Sequence, residues 1–160
     1  MSSFAYTSPF WLPGGNLQTI WSALVAGRPD GAPIPYPRER WNTPDGDFID
    51  VDFRDAPNTA SAGTAAPRAL LVLFHGLEGS SQSHYARAFA QFAHARGMDY
   101  AVPHFRGCSG ELNLAPRAYH SGDFEEIGWI LQRLKARHVA AGGGAVMAAG
   151  VSLGGNALLR

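Results

Sequence analysis

The stretch that decides the fold is AVMAAGVSLGGNALLR, residues 145–160. An apolar run opens it, and Gly150-Val151-Ser152-Leu153-Gly154 follows as a G-x-S-x-G pattern. This pattern predicts a strand, a tight turn and a helix, with the serine at the turn. The turn lifts the serine hydroxyl clear of the sheet, and the flanking glycines leave room for the backbone. Ser152 is therefore a candidate nucleophile.

A second pattern lies earlier in the chain. ALLVLF, residues 69–74, is apolar at every position and precedes His75 and Gly76. Such a run is typical of a parallel strand covered on both faces. Acyl transfer at a serine needs donors for the oxyanion, usually the amide after the nucleophile and one in the loop after an earlier strand. We expect these donors to be the Leu77 and Leu153 amides, with His75 shaping the loop through backbone contacts.

The segments between these patterns alternate predicted strands and helices. After the turn signal Asp45-Gly46, residues 49–53 alternate apolar and acidic side chains, which predicts a half-solvated strand. A short strand is predicted over residues 99–103 and a helix capped by Asp123 after it. Strand, helix, strand, helix, strand is the order of a parallel sheet wound by helices.

A helix is predicted between the strands of residues 69–74 and 99–103, ending at Gly97. The residues that recur there at helical spacing are Tyr85, Phe89, Phe92 and Ala93.

Residues 1–40 differ in composition from the rest. They hold many of the prolines, with aromatic side chains between them, which predicts an extended arm on a core, with one helical turn near residues 17–25. Residues 41–160 are predicted to form the domain that carries the serine, with a polar loop over residues 54–68.

Composition limits the classes of function. The 160 residues hold 13 Lys and Arg and 13 Asp and Glu, so no net charge attracts nucleic acid or an anionic membrane. Cys108 is the single cysteine, and the N-terminus shows no signal-peptide pattern, so we expect a cytoplasmic protein. No run of about 18 apolar residues is present to span a bilayer. Nothing in the sequence indicates the oligomeric state.

Several other side chains carry weaker alternatives. His104, Cys108, Glu111 and His120 match no common zinc spacing, so no metal site is predicted. We expect His120 to be a hydrogen-bonded structural residue and Arg106 to fix its own loop through backbone carbonyls. The glycine-rich turns would also suit a nucleotide-binding domain, but neither G-x-G-x-x-G nor a P-loop pattern occurs.

Six segments point to a known family: FWLPGGNLQTIW, DGDFIDVDF, FHGLEGSSQSHY, HFRGCSGELN, YHSGD and GVSLGGNALL. Together they resemble the YheT-like branch of the α/β-hydrolase-fold esterases. The resemblance implies an α/β class protein with the α/β-hydrolase fold, a mostly parallel sheet wound by helices after an antiparallel start. It also implies a serine hydrolase that cleaves a small-molecule or lipid carboxylic ester through an acyl-enzyme, without metal or organic cofactor.

The same resemblance implies the site. Ser152 is the nucleophile, and the backbone amides of Leu77 and Leu153 form the oxyanion hole. The residues of the supporting motifs are His75, Gly76, Gly150 and Gly154. Members of the branch carry the triad acid and histidine beyond the position of Arg160, so the chain is expected to hold the first half of the fold and to be inactive alone. The strand of residues 145–149 is then expected at an unpaired sheet edge.

Two other functions share these motifs. A non-catalytic scaffold or interaction module keeps the glycines that the fold requires. An acyltransferase uses the same serine with an acceptor other than water.

Overall fold

The structure is a computed structural model that describes residues 6–24, 34–57 and 67–160, and the backbone alone over residues 22–24. It divides into two compact units, residues 1–32 and 33–160. The boundary expected after residue 40 falls inside the first strand, which begins at Arg38. Part of the loop expected over residues 54–68 lies outside the described residues.

The first unit contains one described helix, α1 (Gly15–Leu24). It is longer than the single turn expected near residues 17–25, and residue 25 lies outside the described residues. The Thr19 hydroxyl donates to the Gly15 carbonyl oxygen at 2.9 Å. Trp11 and Trp21 pack edge to face with ring centroids 5.3 Å apart.

The second unit is a five-stranded sheet wound by helices, in the strand order β1-β2-β4-β3-β5. Its elements are β1 (Arg38–Asn42), β2 (Phe48–Arg54), β3 (Leu70–Phe74), α2 (His84–Ala95), β4 (Asp99–Pro103), α3 (Phe124–Ala140), β5 (Val146–Gly150) and α4 (Leu153–Leu158). Strand β2 runs antiparallel to β1 and β4, whereas β3 runs parallel to β4 and β5. An antiparallel start followed by parallel strands confirms the predicted fold class.

Strand β3 lies at the centre of two hydrophobic layers because successive side chains point to opposite faces. Leu70, Val72 and Phe74 pack with buried residues of α3 and α4. Leu71 and Leu73 pack with buried residues of α2 on the other face. All five residues of β3 are buried, which confirms a strand covered on both sides.

The fully buried residues of helix α2 are alanines. Ala86, Ala90 and Ala93 are buried, whereas Phe92 is 51% exposed. The Phe92 ring instead lies 4.0 Å from the Arg96 guanidinium. Alanines let the helix approach the sheet closely, and Phe92 lies outside that narrow contact face.

Strand β2 is buried on both faces, so the expectation of a half-solvated strand is wrong. Asp50 and Asp52 are each only 2% exposed. Directly across the hairpin, Arg40 and Arg38 pair with them, with Nε–Oδ1 distances of 2.8 and 2.6 Å. Alternation with acidic residues therefore marks buried ion pairs here, because charge pairing and hydrogen bonds compensate the loss of water.

Strand β5 forms an edge of the sheet in the described part of the chain, where it pairs with β3 alone. Met147 is 44% exposed at this edge. Helix α4 follows after one turn and is held by tertiary contacts, since Ala157 is buried against the core. Among the described residues no helix combines the length and apolarity needed to cross a membrane.

Candidate functional site

Ser152 occupies a strained turn between β5 and α4. Its backbone has φ 51° and ψ −114°, a conformation that residues other than glycine rarely adopt. The residue is exposed. Its carbonyl oxygen accepts the first hydrogen bond of α4 from Asn156 at 3.0 Å. The G-x-S-x-G stretch therefore folds into a sharp strand-to-helix turn with the serine at its apex.

Both glycines of the motif are required by close backbone approach. A Cβ atom on Gly150 would lie 2.5 Å from the Gly155 amide nitrogen. A Cβ atom on Gly154 would overlap the carbonyl groups of Phe74 and His75. The turn is thus packed directly against the end of β3, where no larger residue fits.

The loop after β3 lies beside Ser152 because β3 and β5 are parallel neighbours whose carboxyl ends meet. The Val151 amide donates to the Phe74 carbonyl oxygen at 3.0 Å. A Cβ atom on Gly76 would lie 3.4 Å from the Ser152 Cβ. The structure therefore brings together the two patterns that the sequence placed about 75 residues apart.

Residues 76–79 form a four-residue turn closed by a 3.0 Å hydrogen bond from the Gly79 amide to the Gly76 carbonyl oxygen. Within the described ranges, the amides of Leu77 and Leu153 donate no hydrogen bond. Leu153 begins α4, where a helix leaves its first N–H groups without an internal acceptor. Two unpaired amides thus flank the turn that carries Ser152.

His75 is buried, and its two ring nitrogens join this loop to Phe105 in the loop after β4. Nδ1 donates to the Gly76 carbonyl oxygen at 2.8 Å, and Nε2 accepts the Phe105 N–H at 3.1 Å. Burial lowers the pKa of His75 to about 4, so the ring is neutral near pH 7. Neither nitrogen is available for proton exchange with Ser152.

The other histidines considered in the sequence are also engaged. His104 Nε2 lies 2.8 Å from Asp52 Oδ2, the oxygen that also accepts the Ser81 hydroxyl at 2.6 Å. His120 is exposed, and its Nδ1 accepts the Gly122 N–H at 3.1 Å. No group of three or more metal-ligating side chains is found in the part of the chain that the structure describes.

Arg106 binds carboxylates, so its expected role on backbone carbonyls is wrong. Its guanidinium is buried and lies 2.8 Å from Asp47, 2.9 Å from Asp45 and 2.6 Å from Glu126. Neutral carbonyls would leave a buried charge uncompensated, whereas the β1–β2 hairpin and α3 both supply carboxylates. Arg106 therefore ties its loop to two elements.

Helix α3 begins after Asp123, as predicted, but the Asp123 side chain does not cap it. Its carboxylate accepts a hydrogen bond from Arg117 at 2.5 Å. An arginine offers a charge-assisted bond, which is stronger than a bond to a neutral backbone amide.

Sequence reasoning missed two tyrosines that contact the 76–79 turn. The Tyr85 hydroxyl oxygen accepts the Gly76 N–H at 3.0 Å. The Tyr119 hydroxyl oxygen accepts the Glu78 N–H at 3.0 Å. The usable signal was that a tyrosine packed inside a protein needs a partner for its hydroxyl, but the partner is not visible from local spacing.

No protein-family model matches the chain. The YheT protein of Escherichia coli, which is named as an esterase, is 45% identical over 120 residues, covering 75% of this chain and 33% of YheT. Human phospholipase ABHD3 is 29% identical over 155 residues, covering 97% of this chain and 36% of ABHD3. The chain thus spans about a third of the length of these curated relatives.

Solved structures share the architecture. An esterase of Pyrococcus furiosus superposes with a TM-score of 0.59 at 17% identity, over 79% of this chain and 45% of that one. A lidless serine hydrolase of Xanthomonas campestris superposes with a TM-score of 0.52 at 18% identity, over 81% of this chain and 57% of that one. These superpositions show the fold alone. The similarity to YheT shows that the chain belongs to the YheT-like branch of the α/β-hydrolase-fold esterases.

Proposed function

We propose that these residues supply the nucleophile and the oxyanion hole of a serine hydrolase that cleaves carboxylic esters through an acyl-enzyme. The observation that carries the proposal is the exposed Ser152, in a strained turn beside the unpaired amides of Leu77 and Leu153. A structural turn gains nothing from such strain, whereas a nucleophile gains access to its substrate.

In this mechanism the Ser152 hydroxyl oxygen attacks the ester carbonyl carbon while its proton passes to a base. The carbonyl oxygen becomes an oxyanion, to which the Leu77 and Leu153 amides donate hydrogen bonds. Collapse of the tetrahedral intermediate expels the alcohol, which takes up the proton, and leaves an acyl-serine. Water then releases the acid and restores the serine.

The base and the acid of the triad are proposed to come from residues other than these 160. His75 is neutral and fully engaged, and His104 and His120 hold other partners. A serine hydroxyl without a base is hardly ionised at neutral pH. We therefore expect the 160-residue chain alone to be inactive.

The proposed substrate is a small-molecule or lipid ester with an apolar acyl chain. Leu77 is 69% exposed beside Ser152, and Leu153 is half-buried, so apolar side chains border the nucleophile. One relative is named as an esterase and another as a phospholipase. The cytoplasm is the proposed compartment, because Cys108 is the single cysteine of these 160 residues and free thiols persist in reducing compartments.

The test uses the complete product of the reading frame that contains these residues, incubated with a fluorophosphonate probe and analysed by intact mass. We expect one adduct, absent in Ser152→Ala and retained in the control Ser121→Ala, together with hydrolysis of p-nitrophenyl esters. Absence of adduct and of hydrolysis in folded protein favours the non-catalytic scaffold. Ester products with an added alcohol identify an acyltransferase.

A second arm uses the 160-residue chain by itself. We expect no adduct on folded chain. An adduct that disappears in Ser152→Ala would show that these residues already activate the serine, and would overturn the proposed external base.

A further inference from the structure

We propose that Tyr85 and Tyr119 are positioning residues that clamp the 76–79 turn and hold the Leu77 amide toward the oxyanion. The inference rests on the proposed function, to which it adds two residues that orient the oxyanion hole. Neither tyrosine is placed in contact with the reacting atoms.

Tyr85 fixes the first amide of the turn. Its hydroxyl oxygen accepts the Gly76 N–H at 3.0 Å, and the tyrosine stands in the first turn of α2. The same hydroxyl packs so closely against Gly79 that a Cβ atom there would overlap it. Tyr85 therefore touches both ends of the 76–79 turn from one helix.

Tyr119 fixes the third residue of the turn through two hydrogen bonds made by one hydroxyl. Its oxygen accepts the Glu78 N–H at 3.0 Å, and its O–H donates to Glu78 Oε1 at 2.9 Å. Glu78 has a φ of 52°, at the turn position where glycine is usual. Both hydrogen bonds stabilise this strained conformation, because one is made to the backbone and the other to the side chain of Glu78.

Tyr119 is itself held in place by aromatic packing. Its ring stacks on Phe105 with centroids 5.2 Å apart and planes 12° apart. The Phe105 N–H binds His75 Nε2, and His75 Nδ1 binds the Gly76 carbonyl oxygen. Partial burial raises the pKa of Tyr119 to about 12, so its hydroxyl stays protonated near neutral pH.

The clamp explains why one amide of the turn remains available. The amides of Gly76 and Glu78 are taken by the tyrosine hydroxyls, and that of Gly79 by the turn's own hydrogen bond. In the described part of the chain, the Leu77 amide alone among these four has no acceptor. A donor that is fixed before the reaction needs no reorganisation when the oxyanion forms.

The first experiment does not depend on activity. Amide hydrogen exchange is measured by NMR in the wild type, Tyr85→Phe, Tyr119→Phe and the control Tyr100→Phe. Tyr100 is matched because its hydroxyl also makes a hydrogen bond to the backbone, by donating to the Ala86 carbonyl oxygen, but lies in the core beneath α2. We expect about tenfold faster exchange of Gly76 in Tyr85→Phe and of Glu78 in Tyr119→Phe. Unchanged exchange in both variants would overturn the clamp.

The second experiment measures ester hydrolysis by the complete gene product. We expect Tyr119→Phe to lower kcat about tenfold with KM within about twofold, because the donor acts on the transition state. We also expect a smaller preference for an ester over its thionoester, whose sulfur accepts weaker hydrogen bonds. An equal loss of kcat in Tyr100→Phe, or an unchanged preference for the ester over the thionoester in Tyr119→Phe, would show that the tyrosines are structural residues only. Inactive, unlabelled wild type overturns the proposed function, while the exchange data still decide the clamp.

Discussion

Asp52 and Arg38 face each other across the β1–β2 hairpin, with Arg38 Nε 2.6 Å from Asp52 Oδ1. The same carboxylate accepts hydrogen bonds from Ser81 and His104, so it joins the hairpin to the loops that follow β3 and β4. Burial alone would raise the pKa of Asp52, but these partners hold it well below its usual range. Asp52 is therefore ionised in the folded protein.

Removing one partner of this pair should be costly. Arg38→Met leaves the Asp52 charge buried, and we expect a loss of about 2 kcal/mol in the free energy of unfolding, less than for a fully buried pair because Arg38 is partly exposed. The control is Arg137→Met, because Arg137 and its partner Glu39 are both partly exposed. Urea unfolding should show a change below about 1 kcal/mol there. Equal losses would contradict a special role for the buried carboxylate.

The pH dependence of Asp52 follows from its lowered pKa. The unfolded chain binds a proton with a pKa near 3.9, while the folded state resists protonation to lower pH. The stabilisation is therefore complete above about pH 4 and is lost as pH falls further. Urea unfolding of Asp52→Asn should show a shallower decline in stability below pH 4 than the wild type. Parallel declines would contradict the assignment.

Local patterns sufficed for much of the fold and for the turn that carries Ser152. Strands β3 and β4 and the turn at Ser152 are encoded by neighbouring residues, because apolar runs and glycines set the backbone directly. The side chains that complete the site were not predictable in this way. Tyr119 meets Glu78 across 41 residues, and Arg106 meets Asp47 across 59. Such pairs depend on how the elements pack, which no local spacing records.

The burial of the acidic residues of β2 was also not predictable from local patterns. Alternation correctly predicts a strand at residues 49–53, but it does not reveal whether the polar face meets water or a partner. The partners here lie on β1, where Arg38 pairs with Asp52 and Arg40 pairs with Asp50.

Gly154 and Gly128 provide a matched pair of glycine substitutions. We expect Gly154→Ala to destabilise the fold by about 2 kcal/mol or more and to abolish labelling of Ser152, because the new Cβ meets the backbone of Phe74 and His75. A Cβ on Gly128, within α3, meets nothing within 4 Å. Gly128→Ala should therefore stabilise by up to about 1 kcal/mol. Thermal unfolding and probe labelling test both, and similar effects would refute the close approach.

The strain at Ser152 can be measured apart from its chemistry. Ser152→Ala and Ser152→Gly both lack the hydroxyl, but only glycine adopts a φ of 51° at little cost. We expect the glycine variant to be more stable than the alanine variant by about 1 kcal/mol, after the greater entropy loss of glycine is included. Chemical denaturation of the two variants provides the comparison. Equal stability would mean that the turn is not strained.

The lowered pKa of His75 predicts a second pH range in which the stability of the fold changes, distinct from that of Asp52. Its folded pKa of about 4 lies below the unfolded value near 6.5, so the folded state binds fewer protons between these limits. This contribution is fully present above about pH 6.5 and is lost progressively down to about pH 4, by up to about 3 kcal/mol. We expect His75→Gln to be less stable near pH 7, because it loses at least one of the two bonds to the Gly76 carbonyl oxygen and the Phe105 N–H. We also expect this variant to lack the pH dependence described above. If the variant kept the wild-type dependence of stability on pH between about 4 and 6.5, protonation of another group would be responsible. In that case ¹⁵N shifts of the imidazole in the wild type would show His75 charged well above about pH 4.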